Sequence, residues 1–229
     1  MEPLAKSQRP WLKICGLRDP DQAAAVASIG VDAIGVIAVP GSPRWLQPSE
    51  RPALFERVQQ TSSRCCGVLV VANPQAADLA DLKAERGHQI VQLHGNESPQ
   101  RCSELRQCLG DSVRLWKALR VRSQEDLQQV SLYSATVDAV LLDAWVPDQL
   151  GGTGHRIPVE WLQGFKASIP WWLAGGITAE RVPEVMQQLT TTQPDGFDAS
   201  SGVERAPGDK DMLLVEQLAR AVAAERHRC

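Results

Sequence analysis

Short apolar runs, many of them rich in β-branched residues, recur along the chain and tend to end in Gly, Asn, Asp or Ser. An amphipathic stretch follows each run. The runs predict strands over residues 11–15, 32–39, 65–71, 89–94, 114–119, 139–143, 170–174 and 196–200. The stretches predict helices over 20–29, 48–61, 74–86, 98–109, 123–132, 159–168, 179–189 and 210–225. Asp19 and Pro20 give a clear helix start, since Asp is a good N-cap and Pro is tolerated at the first helical position. Strands this apolar belong in a sheet covered on both faces, hence parallel. Eight strand–helix units in 229 residues fit the arithmetic of an α/β (β/α)8 TIM barrel. An open, doubly wound sheet is the second reading. The whole chain, 1–229, is expected to form one barrel domain, with 1–10 as a short N-terminal extension. The longest non-helical connection, 144–158, contains Gly151-Gly152-Thr153-Gly154 and reads as a mobile lid at the catalytic end of the barrel.

Composition narrows the function. Hydrophobic residues are 43% and charged residues 22%, ordinary for a globular protein. A formal net charge of −3 offers no basic field for a nucleic-acid backbone. The first ten residues lack the apolar core of a signal peptide, and no run approaches the ~20 apolar residues of a membrane helix. The six cysteines form no CxxC pair and no regular framework. Reduced thiols in the cytoplasm are the economical expectation.

The polar residues at the predicted carboxyl ends of strands are Cys15, Arg44 just beyond strand two, His94, Lys117, Asp143, and Asp198 with Ser200 and Ser201. In a barrel such ends converge on one mouth. Cys15 is either a thiolate base or nucleophile, or a small apolar plug. Asp143 closes the run Ala139-Val140-Leu141-Leu142-Asp143. Desolvation there would raise its pKa and suit it to general-acid work; the alternative is a cap for the following loop. Gly175-Gly176 and Ser201-Gly202 follow strands seven and eight, where this fold recurrently binds phosphate, although ordinary turns also use glycine. Arg44 offers a planar fork for a carboxylate, or is a surface arginine. His94 reads as a hydrogen-bonded core histidine or a ligand. His88, His155 and His227 lie in unrelated segments, so no zinc spacing arises. Gly152-Thr153-Gly154 does not open a helix directly after a strand, so it is no dinucleotide fingerprint.

Taken in order, several motifs resemble the phosphoribosylanthranilate isomerase family. They are Lys13-Ile14-Cys15-Gly16, Ser42-Pro43-Arg44, Gln92-Leu93-His94-Gly95, Leu141-Leu142-Asp143, Gly151-Gly152-Thr153-Gly154, Ala174-Gly175-Gly176 and Asp198-Ala199-Ser200-Ser201-Gly202-Val203-Glu204. Pro207-Gly208-Asp209-Lys210-Asp211 precedes the last helix in the same way. The likeness runs from Trp11 to about Val222. Two stretches depart from it, both beside the expected pocket: Gly35-Val36-Ile37-Ala38-Val39, where the family usually has aromatics, and Ile157-Pro158, where an aromatic and an acidic residue are usual.

The resemblance implies an Amadori rearrangement of N-(5-phosphoribosyl)anthranilate in tryptophan biosynthesis, without cofactor or metal. It implies Asp143 as acid, Cys15 as base and Arg44 on the anthranilate carboxylate. Backbone N–H groups around Gly175, Gly176, Ser201 and Gly202 would hold the phosphate. Asp198 is expected as a structural carboxylate near the mouth, and with His94 it completes the substrate-binding set. The partner is then a small phosphorylated molecule, with no nucleic acid or membrane, and the protein a cytoplasmic monomer or homodimer. One alternative is an indole-glycerol-phosphate synthase-like lyase, which would want a lysine acid such as Lys117 and a glutamate at neighbouring strand ends. A non-catalytic thiol or metal-binding protein is the other.

Overall fold

A computed structural model describes residues 8–145 and 155–226. Eight parallel strands close into a barrel: β1 (Trp11–Cys15), β2 (Ala33–Ile37), β3 (Cys66–Val71), β4 (Ile90–Leu93), β5 (Arg114–Val121), β6 (Ala139–Ala144), β7 (Trp171–Leu173) and β8 (Gly196–Ala199). The closure is direct, because β8 pairs in parallel with β1, Lys13 lying opposite Asp198. The open-sheet reading is thereby excluded. No described helix is long and apolar enough to cross a membrane.

The strands are buried on both faces because two separate cores meet on them. Ile14, Ile34, Leu69, Val91, Leu115 and Leu142 pack outward against the helices. Cys15, Ala33, Val68, Val70, Ile90, Trp116, Ala118, Leu141 and Trp172 fill the barrel interior. Side chains alternate across a strand, so Trp11, Lys13 and Cys15 point inward together, as do Ile90, Gln92 and His94 on β4. The amino-terminal end of the interior is plugged by indoles: Trp172 lies 6.2 Å from Trp11 and 4.6 Å from Trp116, centroid to centroid. Those bulky rings occupy the bottom layer and leave the carboxyl end to smaller polar groups.

The helical connections are less uniform than the sequence suggests. α1 (Pro20–Ser28) starts as expected, with Asp19 accepting from the Gln22 N–H. α2 (Arg51–Thr61) and α3 (Pro99–Leu109) are full helices, the second capped by Ser98. Residues 74–86 instead form two 3₁₀ segments, Ala76–Leu82 and Ala84–Arg86. Leu82 is the one buried side chain in them, so no apolar stripe exists to stabilise an α-helix by packing. Residues 124–129 are likewise 3₁₀ and lead into the single turn α4 (Val130–Tyr133). α5 shrinks to Val159–Leu162, and Gly164 just beyond has φ +74°. α6 (Arg181–Gln188) and α7 (Met212–Ala224) complete the ring, α7 capped by Asp211. A small antiparallel hairpin, β9 (Glu204–Ala206) with β10 (Asp209–Lys210), precedes α7 and turns Glu204 and Lys210 back toward the mouth.

Candidate active site

A cleft with about 680 Å³ of free space, open to solvent, sits at the carboxyl ends of the strands. Cys15, Arg44, His94, Asp143, Gly175, Gly176, Asp198, Ser201 and Gly202 all line it. The residues singled out from the sequence therefore meet in one place, drawn from six different strand ends and loops.

Cys15 ends β1 and is 6% exposed. Gly35 on β2 gives its thiol room: a Cβ at that position would lie 2.7 Å from Cys15 Sγ. Two residues earlier on the same inward face, the fully buried Lys13 donates to Asp198 Oδ1 at 2.9 Å and lies beside the Cys15 thiol. Burial opposes the Lys13 ammonium, but Asp198 and Cys15 together hold its pKa above the usual lysine range. Burial pushes the Cys15 thiol up; Lys13 and Lys210 pull it back only in part, and Asp198 adds to the rise. The free protein thus holds the thiol in its protonated form at neutral pH, beside an ammonium ready to receive a thiolate.

Asp143, the penultimate residue of β6, also lines the cleft and is 5% exposed. His94 Nε2 lies 3.4 Å from its Oδ2, in range for ion pairing but without an aligned hydrogen bond. The other ring nitrogen, Nδ1, is 3.0 Å from Nε2 of the buried Gln92. With the Gln92 amide in that orientation, the amide donates to Nδ1 and the neutral ring carries its proton on Nε2, facing Asp143.

Arg44 is 7% exposed and already engaged. Its Nε contacts Glu204 Oε1 at 3.0 Å and Oε2 at 3.1 Å, and its Nη2 donates to Oε2 at 2.7 Å. These bonds leave Nη1 out. Lys210, fully buried, donates to Glu204 Oε1 at 2.6 Å and to the Cys15 carbonyl at 2.5 Å. The loop after β7 closely approaches the backbone of the connection after β6 and of the loop after β8. A Cβ on Gly175, where φ is +85°, would meet the His155 carbonyl at 2.4 Å, and one on Gly202 would meet the Ile177 carbonyl at the same distance. Only glycine fits there, and its bare backbone can approach a ligand closely.

Two expectations change. Lys117 is not in the mouth: it points out of the barrel, where its ammonium donates to Glu97 at 2.9 Å and to the Gly95 and Ala118 carbonyls. That removes the lysine acid on which the lyase alternative depended. Of the two departing stretches, Ile37 and Val39 line the cleft, but Ile157 is buried in the outer core with its carbonyl bound by Arg181. The run Gly151-Gly152-Thr153-Gly154, read as a lid, lies outside the described residues. Lys13, Glu204 and Lys210 were not singled out from the sequence as site residues. The available signal was a charge inside an apolar strand for Lys13, and two charges flanking the Pro207-Gly208 turn for the others.

Barrels of this construction carry their chemistry at the carboxyl ends of their strands, and the cleft, with its thiol, carboxyl and cations, makes the molecule a (β/α)8-barrel enzyme. A family profile for N-(5'phosphoribosyl)anthranilate (PRA) isomerase matches residues 12–221. The N-(5'-phosphoribosyl)anthranilate isomerase of Trichormus variabilis is 43% identical over 211 residues, covering 90% of this chain and 97% of the relative. That of Thermosynechococcus vestitus is 46% identical over 209 residues, covering 90% and 87%. The crystal structure of phosphoribosyl anthranilate isomerase from Thermus thermophilus superposes with a TM-score of 0.78 at 27% identity, covering 93% of this chain and 98% of that one. The chain belongs to the N-(5'-phosphoribosyl)anthranilate isomerase family. It is an isomerase of tryptophan biosynthesis and performs an Amadori rearrangement.

Proposed function

We propose that Asp143 is the general acid and Cys15 the general base of this rearrangement. Asp143 gives a proton to the furanose ring oxygen of N-(5-phosphoribosyl)anthranilate. The C1–O bond breaks, and the amine lone pair forms the C1=N iminium. Cys15, as thiolate, takes the proton from C2, and the C2–H electrons become the C1=C2 bond of an enolamine while nitrogen regains its lone pair. Tautomerisation moves the O2 proton to C1 and leaves the 2-ketone. Asp143 gives one proton and Cys15 takes one, and exchange with solvent returns both groups to their starting forms, so the scheme is a net isomerisation that calls on no redox partner.

The observation that carries this reading is placement: Cys15 and Asp143, on β1 and β6, line one cleft, each beside a group suited to its ionised form. The thiolate would form against Lys13, and the Asp143 carboxylate left after proton transfer would face His94. Arg44 holds the anthranilate carboxylate through Nη1, and the backbone at Gly175, Gly176, Ser201 and Gly202 holds the phosphate. His94 contacts the substrate beside Asp143. Asp198 keeps Lys13 charged and forms the wall behind Cys15. We take the chain to act as one barrel domain, a cytoplasmic monomer or homodimer.

The test follows the loss of fluorescence of freshly generated phosphoribosylanthranilate. Asp143→Asn keeps the size of the side chain and removes the transferable proton, so turnover should fall by at least ~10²-fold with little change in binding of a reduced product analogue. Cys15→Ser should fall comparably. Near-normal kcat in either variant would sink the assignment of that residue.

A further inference from the structure

We propose that Glu204 is a positioning residue for substrate recognition: it clamps Arg44 so that one edge of the guanidinium faces the cleft. The inference rests on the reading above that Arg44 holds the anthranilate carboxylate. Five hydrogen bonds converge on this one carboxylate, which is 5% exposed. Oε1 takes Lys210 Nζ at 2.6 Å, Arg44 Nε at 3.0 Å and the Gly208 N–H at 3.1 Å; Oε2 takes Arg44 Nη2 at 2.7 Å and Nε at 3.1 Å.

A guanidinium presents two usable edges to carboxylates. Glu204 occupies the edge formed by Nε and Nη2. That fixes the plane of the fork and leaves Nη1 for a second anion. The stem is held as well, since a Cβ on Gly16 would lie 2.6 Å from Arg44 Cδ, so that the arginine runs directly across that glycine. Charge points the same way. Arg44 and Lys210 are two cations sharing one carboxylate, so the trio carries a net positive charge that an anionic substrate group completes. Glu204 sits 160 residues from Arg44 in sequence and is brought to it by the β9–β10 hairpin. The hairpin therefore sets the geometry of the carboxylate subsite as well as starting the last helix.

The experiment measures KM, kcat and the inhibition constant of inorganic phosphate for Arg44→Ala, Glu204→Gln, Glu204→Asp and the double variant Arg44→Ala/Glu204→Gln, with thermal melts of each. Loss of the clamp should raise KM about tenfold in Glu204→Gln while kcat stays within about threefold. Glu204→Asp should recover part of the loss. Phosphate inhibition should not move, because the Glu204 side chain bonds to Arg44, Lys210 and the Gly208 N–H and not to the Ser201-Gly202 backbone just before it; a weakened phosphate constant would assign Glu204 to that loop instead of the clamp. Adding Glu204→Gln to Arg44→Ala should change KM no further. A KM rise in Arg44→Ala with none in Glu204→Gln would overturn the clamp and spare the reading of Arg44. An unchanged KM in Arg44→Ala would overturn that reading, and the clamp with it. A Glu204→Gln effect that persists without Arg44 would assign the residue a general structural role. If Glu204→Gln fails to fold, Glu204→Asp compared with and without Arg44 makes the same discrimination.

Discussion

Replacing Gly35 by Ala adds one methyl group at the most crowded point beside the proposed base. That Cβ would lie 2.7 Å from Cys15 Sγ, 3.1 Å from Cys15 Cα and 3.1 Å from Lys13 Cε. Comfortable contacts between such atoms are about 3.5–4.0 Å, so the sulfur must give way by about 1 Å. The Cys15 backbone cannot supply that movement cheaply: its carbonyl is bound by Lys210 Nζ and by Ser200 Oγ at 3.0 Å. The displacement therefore falls on the Cys15 side chain and the end of Lys13. A misplacement of ~1 Å at a reacting group costs on the order of 10²-fold in rate. Overpacking of this kind costs about 1–3 kcal/mol of stability, with roughly 2–4 °C of melting temperature per kcal/mol for a protein of this size. The assay pairs steady-state kinetics on phosphoribosylanthranilate with a thermal melt. A large kcat loss on a protein that still melts cooperatively, a few degrees lower, is the expected result. A kcat within threefold of the parent, with the same drop in stability, would refute the argument, since the thiol would have moved without consequence.

Two further predictions concern the same cluster. Burial holds the Cys15 thiol above its ordinary range despite Lys13 and Lys210, and only the thiolate is alkylated, so the rate at which iodoacetamide labels Cys15 should still be climbing beyond about pH 8.5, the ordinary thiol value. A basic plateau already reached near neutrality would contradict it. Lys13→Met should lose about 3–5 kcal/mol, because it leaves the Asp198 carboxylate buried without its 2.9 Å partner. Lys13→Met with Asp198→Asn should regain much of that loss in denaturant titrations, and a loss below about 1 kcal/mol in the single variant would show that the pair is not desolvated as described.

Local pattern determined much of this protein. Short apolar runs, alternating with amphipathic stretches, were enough for eight strands, the barrel and the mouth residues Cys15, Asp143 and Asp198, since these are properties of neighbouring positions. The helix start at Asp19 was equally local, because a cap acts within one turn. What the sequence could not decide is which way a charge points in a strand buried on both faces. Lys13 and Lys117 both stand in apolar runs, and neither run has a polar face to set its phase. Closure of the barrel aims Lys13 inward to Asp198, 185 residues away, and Lys117 outward to Glu97. The same holds for Arg44, Glu204 and Lys210: two of the three lie on a hairpin whose destination only the closed ring fixes. The 3₁₀ connections at 76–86 and 124–129 were also settled by packing, since so short an element takes its geometry from the apolar surface it can bury.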